Sequence, residues 1–139
     1  MAAFNKFSAF VADVANKVHN LGGDTLKVML SNTAPAATHA VKADIAEIAA
    51  GNGYVAGGTA VTVTSSAQTS GTYKLVGNNV TFTASGGAIT TFRYAVLYNA
   101  TPASGNLIGY WDYGAPVTVT AGNSFQVQFD AANGILQLV

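Results

Sequence analysis

The chain has 139 residues and a formal net charge of zero, and only 9% of its residues are charged, against about 25% in ordinary soluble domains. Half of the residues are hydrophobic, which excludes intrinsic disorder and leaves a single domain, residues 1–139, able to bury its own core. The six cations are Lys6, Lys17, Lys27, Lys42, Lys74 and Arg93; so scattered a set lacks the clustered positive surface that phosphate recognition needs, and no nucleic-acid partner is expected.

Residues 4–21 carry a helical period. Phe4, Phe7, Val11, Val14, Val18 and Leu21 recur at three- and four-residue steps, which predicts an N-terminal amphipathic α-helix with Phe10 at the edge of its stripe. Asp13 and Lys17 are spaced as an i,i+4 pair on the other side. Gly22 and Gly23 are placed to close the helix in a left-handed cap. Residues 1–23 are therefore read as helix and cap, and residues 24–139 as a β-sandwich. Beside the polar side of the wheel, Ser8, Ala12, Ala15 and His19 form a strip of mostly small residues. Either Ala stands there because it favours helix, or the helix is clasped on a second side by a partner.

From residue 25 the period changes to two. Leu26, Val28 and Leu30 alternate with Lys27, Met29 and Ser31, as in a half-buried strand. Residues 32–42 read as a loop around Pro35, and residues 43–50 as a short helix with Asp44 near its start. Strands are expected near 59–65, 72–76, 80–84, 89–98, 107–113, 116–120, 124–130 and 135–138. Turn chemistry at residues 77–79, 85–87, 121–123 and 132–134 separates several of them. Phe125, Val127 and Phe129 should point inward while Gln126 and Gln128 point out. Residues 92–98 are apolar on both faces, which predicts a central strand. Short strands at this spacing with hairpin turns indicate an antiparallel sandwich or barrel.

The sequence offers little chemistry. Cys is absent, which removes disulfides, thiolate metal sites and cysteine nucleophiles. His19 and His39 have no partner at i+3 or i+4, so zinc-type spacing is lacking and no metal is expected. Asp112 and Asp130 are the only acids after Glu47; a glycosidase would need them to flank one bond, and Asp130 sits where an Asp commonly caps a turn. Residues 51–57 (GNGYVAG) resemble a dinucleotide fingerprint, but the spacing is wrong and no helix follows. No cofactor and no enzymatic activity are expected. Lys6 and Asp13 interrupt the N-terminal region, so no secretory leader is expected, and no run approaches the length of a membrane span.

Aromatic residues and surface composition say more. Tyr110, Trp111 and Tyr113 cluster on one predicted strand; Trp111 and Tyr113 share one face, Tyr110 and Asp112 the other. One face should be core and the other could carry interface anchors. Outward strand positions hold Thr, Ser, Gln and Asn rather than Lys and Glu. Zero net charge suits a subunit that packs against copies of itself or a scaffold better than a free monomer. A structural subunit is the reading that composition favours.

Residues 3–22 (AFNKFSAFVADVANKVHNLG), 24–35 (DTLKVMLSNTAP), 44–54 (DIAEIAAGNGY) and 93–99 (RYAVLYN) resemble small virion proteins of tailed bacteriophages, most nearly the capsid cement, or decoration, proteins of short-tailed phages. The resemblance spans essentially the whole chain. It implies a jelly-roll-like β-sandwich on the outer surface of the virion capsid, with the major capsid protein and a second copy of the chain as partners, and no catalytic residue. The contact candidates are Ser8, Ala12, Ala15 and His19 on the helix, together with Tyr54, Tyr110 and Trp111. A tail, fibre or baseplate subunit would have the same composition, and a carbohydrate-binding module would use Trp111 as a stacking platform.

Overall fold

The computed structural model describes residues 2–139, and they form a mainly β, antiparallel architecture. The strands are β1 (Phe4–Lys6), β2 (Leu26–Ser31), β3 (Thr59–Ala60), β4 (Val63–Thr69), β5 (Thr72–Gly77), β6 (Val80–Thr83), β7 (Phe92–Asn99), β8 (Leu107–Val117), β9 (Ser124–Val127) and β10 (Leu136–Leu138). One helix, α1 (Ser8–Ala15), and a single 3-10 turn at Lys42–Asp44 complete them. A five-stranded sheet runs β1-β8-β7-β2-β3, a three-stranded sheet β10-β5-β4, and β6 pairs with β9.

The main core lies between these sheets. Leu26, Val28 and Leu30 from β2, Leu97 from β7 and Trp111 from β8 meet Leu75, Phe82, Val127 and Leu136 from the smaller sheets. The expected inward Phe125, Val127 and Phe129 all join or pack against this core, while Gln126 and Gln128 stay exposed. Strand β7 is the central strand of its sheet, as its two apolar faces predict.

The same property makes the back of the large sheet a second core. Phe7, Met29, Ile45, Val96, Tyr98 and Leu107 cluster there. Strand β2 is consequently sealed on both faces rather than half-buried, with Met29 and Ser31 fully buried. What covers Met29 is the segment between β2 and β3: Ile48 N–H donates to the Leu30 carbonyl, and Leu107 N–H to the Ala40 carbonyl. Residues 43–50 are therefore not a helix. They are drawn out so that Ile45 and Ile48 can both reach apolar surroundings, and Asp44 caps the single turn by accepting from the Ala40 and Val41 amides. Gly58 closes the segment at φ +80, where a side chain would run into the Val28 carbonyl; only glycine lets the chain lie this close to β2.

The N-terminal region departs most from its periodicity. Residues 4–6 are a strand, pairing Phe4 with Trp111 and Lys6 with Gly109, so the first 23 residues are not a helical appendage but include an edge of the large sheet. The helix covers only Ser8–Ala15. Lys17, not Gly22, closes it: at φ +65 its N–H reaches the Val14 carbonyl and the Val18 N–H reaches that of Asp13, the Schellman arrangement. The face that the helix buries is not the predicted stripe. Phe10 is fully buried and Val11, expected inward, is 54% exposed.

Two further strand boundaries move. The expected strands 107–113 and 116–120 are one strand, β8, and 59–65 divides into β3 and the start of β4. The turn at Ser70-Gly71, with φ of +52 and +83, joins β4 to β5 in a two-residue hairpin.

Candidate interaction surface

The seven residues singled out in the sequence are dispersed by the fold. Ser8, Ala12 and Ala15 are exposed on α1. His19 has left the helix, and its side chain is fully buried. Tyr54 is 2% and Trp111 4% exposed, so neither is a surface contact and Trp111 offers no stacking face to a sugar. Tyr110 is half-buried, with its ring 5.3 Å from that of Phe7.

Tyr54 has a structural task. Its hydroxyl accepts from the Leu30 amide at 3.0 Å and donates to Glu47 Oε1 at 2.7 Å. The same carboxylate oxygen accepts from the Gly57 amide, whose carbonyl receives the Tyr98 hydroxyl. Burial pushes the Tyr54 phenol far above its ordinary range, so it stays neutral and ties the covering segment to β2. Burial likewise pushes Tyr113 up to about 12.

His19 sits in a polar knot behind α1. Its Nδ1 accepts from Asn99 Nδ2 at 3.1 Å, which leaves the ring proton on Nε2. That nitrogen is buried without a hydrogen-bond partner among the described residues and lies 3.9 Å from Asp13 Oδ2. Asp13 accepts instead from Asn106, and Asp24 from Asn99; the expected Asp13–Lys17 pairing fails because Lys17 is no longer helical. Desolvation lowers the His19 pKa, against the opposing pull of Asp13 and Asp24.

The two late acids serve the backbone and an ion pair. Asp112 holds Arg93 in a two-point contact at 2.7 and 3.0 Å and accepts from the Gly114 amide. Asp130 accepts from the Ala132 and Asn133 amides, both at 2.8 Å, the turn position its sequence context predicts. The Arg93 hydrogen bond, and the two amides, hold these carboxyls below their ordinary range. A general acid needs the opposite shift.

An uncharged exposed stretch remains in β4. Along β4 every residue from Thr64 to Thr69 is exposed, and the strand reads VTSSAQT, with no charge and no proline. The strands expected at 59–65 and 72–76 leave residues 66–69 outside any strand, so β4 is not among the contact candidates that the sequence offers. The signal was present nonetheless: an uncharged, hydroxyl-rich run leading into Ser70-Gly71. No helix among the described residues is long and apolar enough to cross a membrane.

No family model matches the chain. No curated protein and no solved structure matches it either.

Proposed function

We propose that this protein is a non-enzymatic virion subunit that binds the outside of a phage capsid and cements neighbouring major capsid subunits. The observation that carries this reading is the uncharged exposed surface, presented by β4 and by the Ser8, Ala12 and Ala15 side of α1. Burying such a surface against another subunit leaves no unpaired charge behind. The resemblance of residues 3–22, 24–35, 44–54 and 93–99 to short-tailed-phage cement proteins points the reading to the head and to a jelly-roll-like arrangement of the sandwich.

In this role the mechanism is mass action. A protein that binds only the assembled shell adds its binding free energy to the stability of that shell. Each copy needs only modest affinity, because many copies tie neighbouring subunits together.

The test is to mix purified protein with expanded, cement-free heads and measure occupancy by electron microscopy. Stoichiometric binding at regular positions is expected. Ala12→Glu should abolish that binding while leaving folding stability within about 0.5 kcal/mol. Undiminished binding by the variant removes α1 from the contact. Failure of the wild-type protein to bind heads at all overturns the cement reading in favour of a tail, fibre or baseplate subunit.

A further inference from the structure

The sandwich is open along one side, where β1, an edge of the five-stranded sheet, runs beside β10, an edge of the three-stranded sheet. Two clefts lie in that seam and share Phe4, Leu136 and Gln137. One, of about 370 Å³, has Ala2 and Ala3 on the β1 side and Asn133 and Ile135 on the β10 side. The other, of about 380 Å³, has Lys6 and Leu138 on those sides, together with Val11 and Val14 of α1. The two strands therefore run in the same direction along the seam.

Both strands have unpaired edges. The Phe7 amide donates to the Ile108 carbonyl, and bonded and non-bonded pairs alternate along an antiparallel ladder, so Asn5 is bonded to Tyr110. The N–H and C=O groups of Phe4 and Lys6 consequently point away from β8, and no loop or turn takes them up. Strand β10 has a neighbour only on its β5 side. The middle of the seam is apolar, lined by Phe4 and Leu136, and at the α1 end Val11 remains 54% exposed. Its charges stand at opposite ends. Lys6 lines the α1 end and makes no ion pair among the described residues, while Asp130 lines the other. Lys74 holds the Ala132 carbonyl and does not line the seam.

We propose that the seam binds an extended segment of a partner protein as a strand laid between β1 and β10, apolar in its middle, with a carboxylate at its N-terminal end and a cation at its C-terminal end. One strand can pair antiparallel with two edges that run the same way, and antiparallel pairing is the more stable kind. Main-chain bonds then supply affinity, and the clefts select side chains. A strand antiparallel to β1 enters at Lys6 and leaves at Asp130, which sets the order of its charges. From Lys6 to Ala2 is about 13 Å of strand, so the two charges are about four residues apart. This binding does not depend on the cement reading, and it is measured without capsids.

The test is a nuclear magnetic resonance titration of the isotope-labelled protein with a capped peptide of about seven residues, alternating valine and threonine between an N-terminal glutamate and a C-terminal lysine. For so small an interface the expected dissociation constant is on the order of 100 µM. At saturation the Phe4 and Lys6 amides should gain protection from hydrogen exchange, while that of Asn5, already bonded to β8, should not change. The peptide with its two charges exchanged should bind about fivefold more weakly, and Lys6→Glu should remove that preference. Val11→Ser should weaken the first peptide about threefold by deleting apolar contact; it lies at an exposed position and is read independently should Lys6→Glu fail to fold. No binding at about 1 mM peptide, equal binding of the two peptides to the wild-type protein, or binding that leaves the Phe4 and Lys6 amides unprotected overturns the proposal.

Discussion

Strands β2 and β4 are nearly equal in length, at six and seven residues, and each pairs antiparallel with a neighbour, yet one is sealed on both faces and the other is bare on both. Strand β2 places Leu26, Val28 and Leu30 in the main core and Met29 in the second, and full burial of such a side chain stabilises by about 1.5–3 kcal/mol. Strand β4 exposes Thr, Ser, Ala and Gln, whose removal from water gains little. The difference separates two tasks within one fold. The doubly covered sheet supplies much of the stability, and β4, the outer strand of its hairpin, is left bare. The proposed virion role would use both, a rigid core and an uncharged outer strand.

That contrast can be broken from the sealed side first. Phe7 is fully buried in the second core, and Phe7→Ala should cost about 3–5 kcal/mol in urea unfolding. A loss below about 1 kcal/mol would mean that the covering layer contributes little and that β2 is stabilised from one face only.

A smaller effect should follow pH. His19 is buried with its pKa below the ordinary 6.5, so below that value the unfolded chain takes up a proton that the folded chain resists. Unfolding is then favoured as pH falls, and stability should decline between about pH 6.5 and 5 by at most about 1.4 kcal/mol per pH unit. His19→Gln should flatten this window. The carboxyls of Asp44, Asp112 and Asp130, each held below the ordinary 3.8, stabilise the fold above that value, and their contribution is lost only as pH falls further. A pH profile unchanged in the Gln variant would remove His19 as the source.

The smallest effect belongs to the bare strand. Ala67→Lys on β4 should change folding stability by no more than about 0.5 kcal/mol, measured at concentrations where the chain is monomeric. A loss of 2 kcal/mol or more would show that β4 itself contributes to the core after all.

The strand periods were legible because a sheet with one wet face writes its alternation into the chain, as at Phe125–Phe129 with the intervening Gln126 and Gln128. The central position of β7 was legible for the complementary reason, since residues 92–98 leave no face for water. The N-terminal stripe misled because Phe4 and Phe7 are both apolar and three apart without sharing a helix face. Phe4 lies against Trp111, with ring centroids 5.5 Å apart, while Phe7 crosses to the opposite core. Tyr54 and Trp111, candidate anchors by residue type and, for Trp111, by strand alternation, both fall in the core, because neither signal distinguishes an aromatic ring in a core from one in an interface.

The amino-acid sequence by itself determined the mainly β class, the neutral surface and most of the turns, all of which follow from local alternation, glycine placement and composition. Only the tertiary structure decided that the large sheet has two cores, that the helix begins after an edge strand, and that β4 is the long free edge. Those outcomes depend on which segments cover which faces, and covering is a relation between residues far apart in the chain that no local period records.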